Sequence, residues 1–262
     1  MQIYLAGTHS RLYVMKVYLA GEHEVKNGSL ADWRGLDILE SFVYCEKNRH
    51  FNRLVNAGQI NLLLDSGAFT FMSDKNNQGG VNWNAYIDRY AAFVLEHKIE
   101  KFFELDIDSV VGLKEVERLR TRLESLTHRQ SIPVWHRARG LDYWRSMVKE
   151  YEYVAIGGIV TREIKQHEHG IFTNLINIAK ENGARVHGLG YTNLKGLEKY
   201  KFDSVDSTSW LYGNRSGEVF KFNGKTIVSI TKPPGTRLNA RDVAINNFTE
   251  WVKFQKYAEK NL

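Results

Sequence analysis

Seven short apolar runs, each closing on an aspartate, a histidine or a glycine, alternate along this chain with stretches of helical period. They are Val17–Gly21, Ile60–Leu64 with Asp65 behind it, Phe102–Asp108, Ile132–His136, Tyr153–Gly158, Arg185–Gly190 and Phe202–Asp206. Between them, apolar spacing predicts helices near Trp83–His97, Leu113–Leu126, Leu141–Tyr151, Glu163–Asn182 and Leu194–Tyr200, with a closing helix over Ala240–Lys260. Such alternation dictates parallel βαβ units with right-handed crossovers. Thr226–Ile230 supplies an eighth strand, and eight close a (β/α)8 barrel of the TIM type. The opening segment Gln2–Gly7 resembles Lys16–Gly21 (IYLAG against VYLAG). The gap between them is shorter than the dozen or so residues of a parallel crossover. One of the two is therefore expected to be an extra or antiparallel piece.

With 262 residues, 43% of them hydrophobic, and no linker or low-complexity tract, the chain reads as a single α/β domain over residues 1–262. No apolar run approaches the ~20 residues that span a bilayer. Met1–Gly7 has neither the basic start nor the long apolar centre of a secretory signal, and Cys45 has no partner for a disulfide. Both fit the cytoplasm, the host's if the protein is phage-encoded. The net charge of +6 suits a polyanionic partner without specifying one. Arg118, Arg120 and Arg122 share a segment with Glu115, Glu117 and Glu124 and read as a solvated helix face. His167 and His169, two apart on a predicted helix, point away from each other and read as surface residues.

The strand ends carry the chemistry. Ligands of α/β folds sit at the carboxyl ends of parallel strands. There the sequence places Asp65-Ser66, Asp106 and Asp108, His136, Gly157-Gly158, His187-Gly188 and Asp206-Ser207. Desolvating one carboxylate is costly without a partner, and gathering several raises the proton affinity of some, which serves acid–base work. Glycines there let a planar ligand approach the backbone. Each residue also has a purely structural reading: Asp65 as a turn cap, His136 and His187 as hydrogen-bonded core histidines. Asp203 shares a strand face with Asp206 and is a rival for its role.

Five motifs in order resemble the tRNA-guanine transglycosylases, and more closely the small phage-type relatives that place 7-deazaguanines in DNA. Asp65-Ser66-Gly67-Ala68-Phe69 is similar to the D-S-G-G-aromatic motif, and Ala155-Ile156-Gly157-Gly158-Ile159 to the A-I-G-G-L base-binding strand. Gly188-Leu189-Gly190 is similar to G-V-G, Val205-Asp206-Ser207 to the F-D-C nucleophile strand, and Arg215–Phe220 to R-N-G-x-x-F. The resemblance implies Asp206 as the nucleophile at C1′ and Asp65 as the general acid and base. It implies Ser66, Asp106, His136 and the Gly158-Ile159 backbone as readers of the base edge, with Asp108 the alternative to Asp106. Phe69 and His187 would sandwich the base, and Arg215 would meet a phosphate.

The implied activity is exchange of guanine in DNA, flipped or single-stranded, for a free 7-deazaguanine such as 7-cyano-7-deazaguanine. It passes through a glycosyl-aspartate and needs no cofactor. The same chemistry on tRNA, a nucleoside hydrolase and an inactive nucleic-acid-binding barrel are the alternatives. The tRNA enzymes carry a three-cysteine, one-histidine zinc site. No cysteine follows Cys45 here, so no such metal site is expected. His136 stands where glutamine is usual, His187 where an apolar residue is usual, and Ala68 where glycine is.

Overall fold

A computed structural model describes residues 1–6, 35–68, 80–191, 193–210, 218–230, 235 and 238–262. Its first four strands are β1 (Gln2–Ala6), β2 (Leu36–Ser41), β3 (Ile60–Asp65) and β4 (Lys101–Phe102). Four more follow: β5 (Val134–Trp135), β6 (Tyr153–Ile156), β7 (Arg185–Gly188) and β8 (Ser204–Ser207). They line up as β4-β3-β2-β1-β8-β7-β6-β5, every neighbouring pair parallel. The ends of that row meet at the parallel bridge Phe103–Ile132. Glu104 N–H donates there to the Ile132 carbonyl at 3.0 Å, and Ile132 N–H to that of Phe102 at 2.8 Å. The fold is thus an eight-stranded α/β barrel in one domain, as the alternation requires.

Two strand assignments are corrected, and of the two similar segments Gln2–Ala6 is the one seen in the barrel. Gln2–Ala6 is neither extra nor antiparallel: it pairs in parallel with β8 (Ile3 opposite Val205) and with β2 (Leu5 opposite Ile38). Its parallel neighbour β2 begins at Leu36, far enough along the chain for a parallel crossover; Val17–Gly21 lies outside the described residues. β2 escaped notice because Asp37 and Glu40 interrupt its apolar run, yet both are buried. Thr226–Ile230 is no barrel strand either. β10 (Ile227–Ile230) pairs antiparallel with β9 (Val219–Phe222) in a separate hairpin.

The helices are α1 (Phe42–Cys45), α2 (Arg49–Asn56), α3 (Trp83–Glu96), α4 (Asp108–Val111), α5 (Leu113–Thr127) and α6 (Gly140–Glu150). After them come α7 (Ile171–Glu181), α8 (Leu194–Tyr200) and α9 (Ala240–Asn261). α7 starts later than its apolar spacing suggests, after a 3-10 turn at Gln166–Glu168. No helix among the described residues is long and apolar enough to cross a membrane.

Strand alternation divides the core in two. Tyr4, Leu39, Leu63, Phe103, Val134, Tyr153 and Ala155 fill the barrel; Ile38, Leu64, Phe102, Val154, Ile156, Val186 and Val205 face the helices. α3 shows how the shell positions the mouth. The Asn82 side chain accepts from Ala85 N–H at 3.0 Å and starts the helix. Tyr86, Ile87, Tyr90 and Val94 form its buried stripe. From that stripe Tyr86 OH donates to the Ser66 carbonyl at 2.5 Å, and Tyr90 OH reaches those of Leu64 and Phe103 at 3.3 and 3.0 Å. One helix therefore fixes the ends of both β3 and β4.

Candidate active site

Asp65 ends β3 at the mouth, its Oδ2 accepting Gly67 N–H at 3.0 Å. Burial pushes its carboxyl up to about 7, helped by the charges of Asp106, Asp206 and Glu40 and opposed by the Gly67 bond. A carboxylic acid that holds its proton near neutrality can give it up or take it back during turnover. Ser66 beside it is buried, its Oγ facing Ala68 N–H at 3.5 Å.

Asp106 and Asp108 lie close together but take different partners. Asp106 meets His136 Nε2 at 2.7 Å, while Asp108 opens α4 and accepts from Arg139 Nε at 3.0 Å. Asp108 is therefore the structural partner and Asp106 the carboxylate on the His136 side. Beneath them lies Glu104, fully buried. Arg120 Nη1 and Arg139 Nη1 each donate to it at 3.0 Å, and Val134 N–H at 2.8 Å. Arg120 is thus no part of a solvated face, although Arg118 and Arg122 are exposed and paired with Glu115 and Asp88. Glu104 has no strand-end signal, which is why sequence reasoning passed over it.

His136 is held between two carboxylates, Asp106 on Nε2 and Glu163 on Nδ1 at 3.0 Å. Burial alone would lower its proton affinity, but the hydrogen bonds to Asp106 and Glu163 and the charges of Asp106 and Asp108 prevail and raise its pKa to about 9. At neutral pH both ring nitrogens donate. Glycine 157 makes this possible: a Cβ there would stand 2.7 Å from His136 Cε1. Gly158, at φ +76°, leaves room for Glu163, whose Oε2 would lie 2.7 Å from an added Cβ. The side-chain space at these two glycines is thus taken by His136 and Glu163. Ligand atoms of Asp106, Asp108 and His136 lie within 4.8 Å of one another, close enough for a divalent ion. A cation there would have to displace a histidine proton and face the Arg139 guanidinium.

The other wall is β7 and β8. Asp206 Oδ1 accepts Gly190 N–H at 2.5 Å and meets His187 Nε2 at 3.2 Å. His187 is fully buried inside the barrel against Tyr4, Phe103 and Tyr153. Its Nδ1 bonds Ser204 Oγ at 2.7 Å, and Ser204 in turn bonds Tyr153 OH. The ring therefore cannot sandwich a base and instead orients Asp206. The Ser204–His187–Asp206 series resembles a hydrolytic triad in residue types only, since Ser204 is itself buried. Asp203 sits at the opposite end of β8, its Oδ2 accepting Val186 N–H at 2.8 Å, which removes it as a rival nucleophile. Gly188 faces the outer layer, where a Cβ would meet Phe202 and Tyr191, and so lines no ligand space.

A cavity of about 950 Å³ opens outward from Asp206, walled by Ile159, Arg162, Lys165, Gly190 and Asn193 among others. His169 also lines it and packs against Phe172, Tyr191 and Tyr200. It is buried rather than on the surface, and that burial lowers its proton affinity. Phe69 and Arg215, expected to stack on a base and to meet a phosphate, lie outside the described residues.

No protein-family model matches the chain, and no curated protein does. Among solved structures, one titled "Crystal Structure of Citrate Synthase SbnG" aligns over 82% of this chain and 89% of its own, at 11% identity and a TM-score of 0.43.

Proposed function

We propose that the protein is a transglycosylase that exchanges guanine in DNA for a free 7-deazaguanine through a glycosyl-aspartate intermediate. One observation carries the reading. Asp65 and Asp206 end strands of the same barrel mouth, near enough for the Asp206 charge to raise the Asp65 pKa, in surroundings suited to opposite tasks. Asp65 keeps its proton up to about pH 7. Asp206 has Oδ1 anchored by two nitrogens and borders a cavity large enough for a nucleotide.

In the first half-reaction an Asp206 carboxylate oxygen bonds C1′ as the C1′–N9 bond breaks. The electron pair leaves with guanine, and Asp65 supplies the proton that makes the base neutral. In the second, N9 of the incoming base bonds C1′, the ester bond to Asp206 breaks, and Asp65 recovers a proton from that base. Two inversions at C1′ give retention. Asp106 accepts from His136 and, as a carboxylate, has acceptor capacity left for the N–H groups of a guanine edge. Guanine and 7-deazaguanines share that edge, so one pocket serves both. His187 acts through Asp206 and touches no substrate.

Incubating the protein with labelled guanine and, in parallel, duplex DNA, single-stranded DNA and unmodified tRNA tests the proposal. Label entering DNA, with little in tRNA, is the expected result. Label in tRNA with inert DNA overturns the choice of polymer, and release of free guanine without label uptake replaces exchange with hydrolysis.

A further inference from the structure

We infer that the loop between β6 and α7 is a phosphodiester-binding site, with Arg162 and Lys165 holding the backbone of the substrate strand beside Asp206. The inference rests on the reading of Asp206 as the residue that meets the sugar, and adds where the rest of the polymer lies. At about 950 Å³ the cavity is near the upper end of the ~300–1,000 Å³ common for small-molecule sites. It is larger than a single base needs and opens to solvent along the loop.

The charges in and around it are uneven. Among the described residues Asp206 is the only carboxylate of the lining, while Arg162 and Lys165 stand exposed at the wall. The loop's two acids are already engaged. Glu163 accepts from His136 at 3.0 Å and from Ala138 N–H at 3.1 Å. Glu168 pairs with Arg137 at 2.6 Å and accepts Lys165 N–H at 3.0 Å. Among the described residues no ion pair neutralises Arg162 or the Lys165 ammonium. Asn193, Thr208 and Ser209 add neutral hydrogen-bond donors to the same lining.

This order sorts a nucleotide by its parts. The uncharged sugar is the part that tolerates the Asp206 carboxylate, and the phosphates on either side are drawn to the cationic wall. Arg162 also has a left-handed backbone, φ 61°, a conformation that is strained for a non-glycine residue. Glycine adopts it without strain, so Arg162→Gly removes the charge and leaves the loop its conformation.

Fluorescence anisotropy with labelled single-stranded DNA, RNA of the same sequence and an uncharged peptide nucleic acid, over a series of salt concentrations, tests the site on the full chain. Each lost phosphate contact flattens the log–log salt slope by about 0.7 for a single strand, roughly fivefold in affinity at 0.1 M salt. The R162G and K165Q variants are each expected to show that loss, and the double variant about twice the slope change and roughly 25-fold in affinity. The peptide nucleic acid is expected to bind weakly and alike to all of them. Whichever of DNA and RNA binds wild type more tightly identifies the source of the backbone. An unchanged slope and affinity in a double variant that melts like wild type overturns the inference, as does a wild type that binds neither polymer. Slope loss without base exchange would remove the transglycosylase and leave the site; exchange with an unchanged slope would do the reverse.

Discussion

Asp65→Asn should make the protein more stable above pH 7 while destroying its activity, and the pH dependence of that gain is the sharper test. In the folded chain burial, with Asp106, Asp206 and Glu40 adding to it, moves the Asp65 carboxyl from the ordinary 3.8 to about 7. Between those values the folded protein holds a proton that the unfolded chain has lost, so stability falls as pH rises. The full difference spans about three decades of proton affinity, about 4 kcal/mol at 1.36 kcal/mol per decade. Asp65 is only half-buried, and water at the mouth screens part of this, so 2–4 kcal/mol is the working range. Asparagine cannot ionise, yet its Oδ1 still accepts Gly67 N–H. Urea unfolding of both proteins from pH 4 to 8 should give a difference near zero at pH 4. That difference should climb to about pH 7 and then level off. A difference that stays flat within ~0.5 kcal/mol across that range refutes the claim that this carboxyl is held in a costly position.

Asp206→Asn should abolish exchange without lowering the melting temperature. Asp203→Ala should keep exchange and cost about 1–2 kcal/mol in urea unfolding, because it strips the Val186 N–H of its acceptor. Gly157→Ala drives a methyl into His136 and Val134 and should cost roughly 1–3 kcal/mol. Gly170→Ala, where a Cβ meets nothing within 4 Å, should stay within about 0.5 kcal/mol; equal effects of the two in thermal melts would contradict the packing around His136. The pairing of His136 with Asp106 and Glu163 raises its pKa from 6.5 to about 9. Its stabilisation is therefore complete below pH 6.5 and lost as pH rises through about 9. The stability gap between wild type and His136→Gln should shrink by up to about 3 kcal/mol between pH 6.5 and 10; an unchanged gap would mean the histidine carries no such charge.

The sequence by itself determined the class of fold and one end of it as the place for chemistry. Parallel βαβ units put every strand's carboxyl end on one side, so a polar residue closing an apolar run reaches the mouth whatever the strand order. Asp65, Asp106, His136 and Asp206 were legible for that reason. What each of them touches was not, because the partners come from distant parts of the chain. Glu163 lies 27 residues from His136, and Arg139 lies 35 from Glu104. Ring closure is non-local in the same way. Leu36–Ser41 hides its strand character behind Asp37 and Glu40, and only the neighbours β1 and β3 supply the pairing that makes it one. His187 shows the limit most plainly. Its strand position placed it near the mouth, but alternation turns its ring into a closed barrel. There Tyr4, Phe103 and Tyr153 exclude a ligand, and the hydrogen bond to Asp206 becomes its task. A strand's sequence gives the direction of a side chain, and only the packed barrel decides whether solvent, substrate or other protein atoms lie in that direction.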